Sequence, residues 1–321
     1  LAQVNTLIAL VSLKPYVYSL VFTDDEVWAK KARELGVDRV RPILSKNKFK
    51  TPFLHGMLKV ARTIHAPFHC YINGDILLGQ SFVQTLLAIK REVHENRLPR
   101  KVFVIGRRYN VNISSDHVLP RDANSPIATE ELLNKWIQQS SLGQPDAFDW
   151  FVFSKHTFHW QNVPPFVIGR VSYDNCLAHI AVQDPSVATI DGTLTVRAIH
   201  QTDSYGNKAN QMFKHIDHLW NEERCWRKRW LGWIMFMEYE LQWPDVAIVY
   251  GKYGHEFQGH TIPCPPFDIQ PKLVKRPLKE YENKILQREN DAILKSLQNP
   301  SGANVLYTLA QDTYDPFIDR V

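Results

Sequence analysis

The run Phe68-His-Cys-Tyr-Ile72 ends abruptly in Asn73-Gly-Asp75, after which Ile76-Leu-Leu78 is apolar again. A short apolar run of this kind suits a strand covered on both faces. That requirement constrains the rest of the chain, because helices must lie above and below it. The flanking sequence supplies them. Val17–Phe22 and Arg39–Leu44 read as strands. Between them a helix opens on Thr23-Asp-Asp-Glu26, carries Lys30, Lys31 and Arg33 towards its end, and stops at Gly36. Thr51-Pro-Phe53 opens a further helix that runs to about Ile64. Gln80–Val93 reads as a helix and Lys101–Ile105 as a strand. This alternation over residues 16–106 predicts an α/β fold: a mainly parallel central sheet flanked by helices, with Asp75 at the carboxyl end of an inner strand.

The remainder is less regular. Residues 2–13 read as a buried helix stopped by Pro15, Asn110–Pro126 as a loop, and Ala128–Gln139 as a helix. Phe148–Phe153 reads as a strand and Tyr173–Val182 as a helix. Val187–Ile190 and Thr195–Ile199 read as strands, and Gln211–Trp220 and Glu223–Tyr239 as helices. Lys272–Leu297 reads as a charged helix with few core positions, followed by an extended tail. No run of about twenty apolar residues is present, so no membrane span is expected in this chain, and no signal peptide is evident. The chain opens on Leu1-Ala-Gln-Val. That fits a fragment lacking an anchor or a first strand, and a missing amino-terminal anchor would favour the secretory pathway (Golgi lumen).

With 44% hydrophobic residues, the sequence can build a sizeable core and is not a disordered chain. Its formal charge of +5 suits an anionic small molecule and, without a basic run, argues against nucleic acid as a partner. Cys70, Cys176, Cys225 and Cys264 lack zinc-type spacing, and free thiols or two disulfides both fit. Asn112-Ile-Ser114 is an N-glycosylation sequon, which matters only for a secretory chain.

Asn73 and Asp75 lie two apart, so an extended backbone points both side chains the same way, and Gly74 permits close approach or a tight turn. An acid at the carboxyl end of a buried strand sits where α/β sheets bind ligands. Mg²⁺ or Mn²⁺ typically takes one or two carboxylates plus substrate phosphates. The plain alternative is a strand-end turn.

Several further segments join this motif in a fixed order: Phe22-Thr-Asp-Asp-Glu26, Thr51-Pro52, Tyr71-Ile-Asn-Gly-Asp-Ile-Leu77 and Ile105-Gly-Arg-Arg108, then Asp149-Trp-Phe-Val-Phe153, Pro164-Pro-Phe-Val-Ile-Gly-Arg170, Tyr173-Asp-Asn175 and His200-Gln201. The series resembles the nucleotide-diphospho-sugar transferases of the GT-A type and covers roughly residues 3–207. The resemblance implies a Rossmann-like core over residues 1–207. Residues 208–262 would complete that core, and residues 263–321 would form a charged helical extension. It further implies transfer of a sugar from a nucleoside-diphosphate donor, UDP-linked, to a hydroxyl of a carbohydrate or other acceptor, with inversion and assisted by Mn²⁺ or Mg²⁺. Asp75 and His200 would hold the metal. Asp174 would be the base, with Arg170 and Asp149 beside the reacting centre. Asp24, Asp25, Thr51, Asn73, Arg107, Arg108 and Gln201 would meet the donor. Lys46, Lys48 and Lys50 would face its diphosphate, and Trp150 would line the sugar site.

Each assignment has a structural counterpart. Asp24, Asp25 and Asp174 suit helix starts, the arginines suit ion pairs with Asp149 or Asp174, and His200 suits a hydrogen-bonded strand end. The sequence departs from the family in carrying Asn-Gly-Asp where Asp-x-Asp is usual, and Thr202-Asp-Ser-Tyr-Gly-Asn207 where further histidines are expected. Two other readings compete. A nucleotidyltransferase would need a Gly-rich signature loop near the amino end, which the sequence lacks. A non-catalytic sugar- or nucleotide-binding scaffold would need only a decayed site.

Overall fold

The computed structural model describes residues 1–120, 126–138, 140–144, 146–202, 215–225, 237–242, 250–251, 254–255 and 271–276. Two compact units divide the chain, Leu1–Lys275 and Arg276–Val321. The second lies outside the described residues apart from Arg276, and so does most of the expected extension.

The first unit is a mixed α/β structure. Its order begins α1 (Ala2–Ser12), β1 (Leu20–Phe22), α2 (Glu26–Glu34), β2 (Arg39–Arg41), α3 (Leu54–Ala61), β3 (Phe68–Ile72), β4 (Ile76–Leu77), α4 (Gln80–His94), β5 (Lys101–Ile105) and β6 (Arg108–Asn112). It continues through α5 (Pro126–Ile137), β7 (Ser141–Leu142), β8 (Trp150–Ser154), α6 (Tyr173–Val182), β9 (Val187–Asp191), β10 (Ala198–Thr202), α7 (Glu222–Cys225), β11 (Tyr239–Gln242), β12 (Tyr250–Gly251), β13 (Gly254–His255) and β14 (Lys272–Lys275). The largest sheet has the order β14-β11-β9-β5-β8-β3, a second has β4-β10-β6-β7, and β1 pairs with β2 in parallel.

The sheets are mixed, not mainly parallel. β9 runs parallel to β5 and β11, whereas β8 is antiparallel to both β3 and β5. The long stretch between Ile105 and Trp150 lets the chain reverse before β8 enters between two strands that precede it. β3 therefore ends the described strand order instead of lying inside it. Two other expectations also change. Lys272–Lys275 is a strand paired with β11, not the start of a helix. Residues 215–220 form turns where a helix was expected, and β6 occupies the start of the expected loop. Residues 211–214 and 226–236 of the expected helices lie outside the described residues.

The strand pleat divides the core. Phe103, Ile105, Phe151 and Phe153 face α6 and pack with Phe158, Phe166 and Leu177. Val102, Val104, Trp150 and Val152 face α4 and pack with Phe82, Val83 and Ile89. Truncating one of these buried phenylalanines to Ala costs about 3–5 kcal/mol. Trp150 is fully buried, which removes it from the sugar-lining role. Gly106 is required beside it, because a Cβ there would stand 2.5 Å from the indole. Cys176 of α6 and Cys225 of α7 form a disulfide with Cα atoms 6.0 Å apart. Cys70 is free and Cys264 lies outside the described residues.

Candidate functional site

Three carboxylates lie on segments that flank the strands and α6. Asp75 closes the turn between β3 and β4, Asp149 precedes β8, and Asp174 lies in the first turn of α6. Asn73, two residues before Asp75, bonds both Asp149 and the hydroxyl of Tyr173, the residue before Asp174, and so ties the three segments together.

The Asp75 turn is tied down from behind. Its carbonyl accepts from Gln201 N at 3.0 Å and from Gln201 Nε2 at 3.2 Å. Its side chain faces β10: Oδ2 stands 3.4 Å from His200 Nε2. His200 Nδ1 meets Asn110 Oδ1 at 3.2 Å across the β6–β10 ladder. Asp75 Oδ1 is buried, with no hydrogen-bond partner among the described residues. A carboxylate oxygen so placed carries a desolvation cost that a cation would relieve. Among the described residues no group of three or more His, Cys, Asp or Glu side chains is arranged for a metal. The pair therefore fits a cation whose remaining ligands are phosphate and water, the usual arrangement for Mg²⁺. Of the two ions, Mn²⁺ tolerates an imidazole ligand better than Mg²⁺ does.

Asn73 accounts for the departure from two acids. Its Nδ2 donates to Asp149 Oδ1 at 2.8 Å, and its Oδ1 accepts from the Tyr71 and Tyr173 hydroxyls at 2.9 and 3.0 Å. An aspartate at this position would lose the donor and set a second charge against Asp149. Burial raises the pKa of both tyrosines, keeping them neutral donors. Asp149 is held on its other oxygen by the buried Arg108 guanidinium. Its backbone is left-handed, φ 55°, a conformation that Asp tolerates better than most residues.

Asp174 has a different environment. Oδ1 accepts from the Asn175 amide at 2.9 Å. Burial, and then the neighbouring Asp149 charge, push its pKa from 3.8 up to about 7. Among the described residues it forms no ion pair, so the structure leaves a basic carboxylate beside Asp149. Ser172, two residues before it, is left-handed at φ 77°. Strained backbone on both sides of a carboxylate cluster is a recurrent property of functional sites.

The other predicted site residues make contacts of their own. Arg170 and Thr51 form a separate polar knot on Asp217: Arg170 Nε donates at 2.7 Å and Thr51 Oγ1 at 2.5 Å, with Asn47 Nδ2 adding a bond at 2.9 Å. Burial alone would raise the Asp217 pKa, but the Thr51, Asn47 and Arg170 contacts prevail and hold it at about 2. Arg170 thus sets the loop before α6 and is paired with neither Asp149 nor Asp174. Arg107 Nε donates to the Gly143 carbonyl at 2.7 Å. Asp25 caps α2, accepting from Val27 N and Trp28 N at 2.8 and 3.1 Å. Asp24 takes the Lys46 ammonium and the Ile43 amide, and Lys48 lies over the Phe49 ring. Lys50 has left-handed backbone. Gln201 is buried and binds Ala2 O, Thr6 Oγ1 and Asn5, so it positions the turn and makes no outward contact.

Asp217 and Asn221 were not foreseen. Asn221 caps the carbonyls of Val167, Arg170 and Val171 and receives the Val167 amide. Both lie past Asn207, where the motif series ends, and no local pattern marks them. Tyr71 and Tyr173 lie within the motifs of the series, but the apolar run around Tyr71 reads as a buried strand and Tyr173 as a helix start.

No family model, curated protein or solved structure matches the chain.

Proposed function

We propose that the chain is a metal-assisted glycosyltransferase of GT-A type, moving a sugar from a nucleoside-diphosphate donor, UDP-linked, to a hydroxyl acceptor with inversion. The observation that carries this reading is the carboxylate set itself: Asp75, with one oxygen unpartnered and the other facing His200, is joined through the Asn73 network to the segment of Asp174, whose affinity for protons is raised. Asp75 and His200 would hold the cation, which supplies neutralisation of charge on the departing diphosphate. Asp174 accepts the acceptor hydroxyl proton as that oxygen attacks the anomeric carbon, and a base with pKa about 7 is matched to neutral pH. Asp149, fixed by Arg108 and Asn73, holds a second negative charge near the base and keeps its pKa high. The Cys176–Cys225 disulfide supports an oxidising compartment such as the secretory pathway.

The test is hydrolysis and transfer of UDP-sugars by the purified protein with Mn²⁺ and with chelator. Mn²⁺-dependent release of UDP supports the reading. Donor binding with no turnover under any acceptor would favour a scaffold instead. Release of diphosphate from a nucleoside triphosphate would favour a nucleotidyltransferase.

A further inference from the structure

We propose that Asn112 is a glycosylation site carrying an N-linked oligosaccharide, and that the glycan stands on the carboxylate face of the second sheet. The inference is independent of the transferase reading. Asn112-Ile-Ser114 is the one Asn-X-Ser/Thr sequence in the chain, because Asn299 is followed by Pro300. Asn112 ends β6 with an exposed side chain, and Ser114 to Asp116 beyond it are exposed as well. A bulky glycan therefore meets solvent there and no packed core. The Cys176–Cys225 disulfide is the second observation, since it belongs to the compartment where such glycans are attached.

Strand alternation fixes the side. Tyr109 and Val111 of β6 pack with Ile8 and Leu133 under α1 and α5. Arg108 and Asn110 point the opposite way, to Asp149 and His200. Asn112 shares their parity, about 7 Å along the strand from Asn110, and pairs in register with Thr202 as Asn110 does with His200. The glycan thus rises from the face that carries the carboxylate site, outward of His200.

The attachment consumes a lipid-diphosphate-linked oligosaccharide. Asn112 Nδ2 forms the bond to its anomeric carbon, the anomeric C–O bond breaks, the lipid diphosphate leaves with the electron pair, and the amide loses one proton. The experiment takes the full chain produced through the secretory pathway of eukaryotic cells. Peptide mass spectrometry follows release with an amidase that converts a glycosylated Asn to Asp in heavy-oxygen water. Heavy Asp at position 112 is expected, with a gel shift that Asn112→Gln abolishes while the melting temperature stays unchanged. Unmodified Asn112 in protein whose Cys176–Cys225 bond has formed overturns the proposal. A gel shift that survives Asn112→Gln overturns it equally.

Discussion

At the residue scale, Asp174 and Asp75 carry opposite burdens and make separable predictions. Asp174→Asn keeps shape and helix-start bonding but cannot take a proton. Donor binding should persist while initial transfer rate falls by about 10²–10⁴. The raised pKa also fixes two pH signs. Wild-type transfer should rise with pH through about 7 as the carboxyl ionises. The same group favours the fold when protonated, so its contribution is fully present below 3.8 and lost as pH rises through about 7. Asp174→Asn should then melt higher than wild type at pH 8 and much the same at pH 4. A variant with near wild-type transfer would retire the base assignment. Asp75→Asn should remove Mn²⁺-dependent UDP-sugar binding with the fold intact, and His200→Ala should weaken it less; unchanged calorimetric affinity would count against both. The residue types here were legible because acids, His and Arg after apolar runs stand out. What Asn73 does was not legible, since its partners Asp149 and Tyr173 are distant in sequence and only the folded network shows why an amide is needed.

At the scale of elements, the start of α6 is set by residues far downstream. Segment 215–225 grips the 164–172 loop through Asp217, Asn221 and Glu222, and Cys225 fastens it to α6. Asp217→Ala should destabilise by about 3–5 kcal/mol, because it leaves the largely buried Arg170 without its carboxylate partner. Its pKa, lowered from 3.8 to about 2, means that the stability Asp217 confers is present above 3.8 and lost as pH falls towards 2. Acid melting curves of wild type and variant should therefore converge near pH 2 and diverge above pH 4; parallel curves would show that Asp217 is not the titrating group. The helices before Ile105 were readable from caps and periodicity, as the Asp25 cap shows. The placement of β8 was not. An antiparallel strand buried on both faces has the same apolar composition as a parallel one, so composition could not report direction, and β3 was expected inside the sheet for that reason.

At the scale of the whole molecule, the amino-terminal helix is joined to the Asp75 turn through a polar relay that spans most of the chain. Asn5 is fully buried; its Nδ2 donates to the Gln201 side chain at 3.0 Å and to His117 O at 2.7 Å, and its Oδ1 accepts from the Leu119 amide at 3.0 Å. Gln201 in turn holds the Asp75 carbonyl. One side chain thus gathers α1, the segment after β6, and β10 behind the candidate cation site. Asn5→Ala leaves His117 O, Leu119 N and Gln201 Oε1 without these bonds in a buried place, at a cost of about 1–3 kcal/mol. Asn5→Leu separates volume from polarity, since it fills the space but restores no bond. If the relay positions the turn, both variants should lower the melting temperature and also weaken Mn²⁺-dependent UDP-sugar binding, although Asn5 touches neither ligand. Thermal shift with and without Mn²⁺ and donor reads both effects in one titration. A variant that melts lower yet keeps the full ligand-induced shift would make the relay a matter of stability alone, and would leave the position of Asp75 to β4 and the Asn73 network.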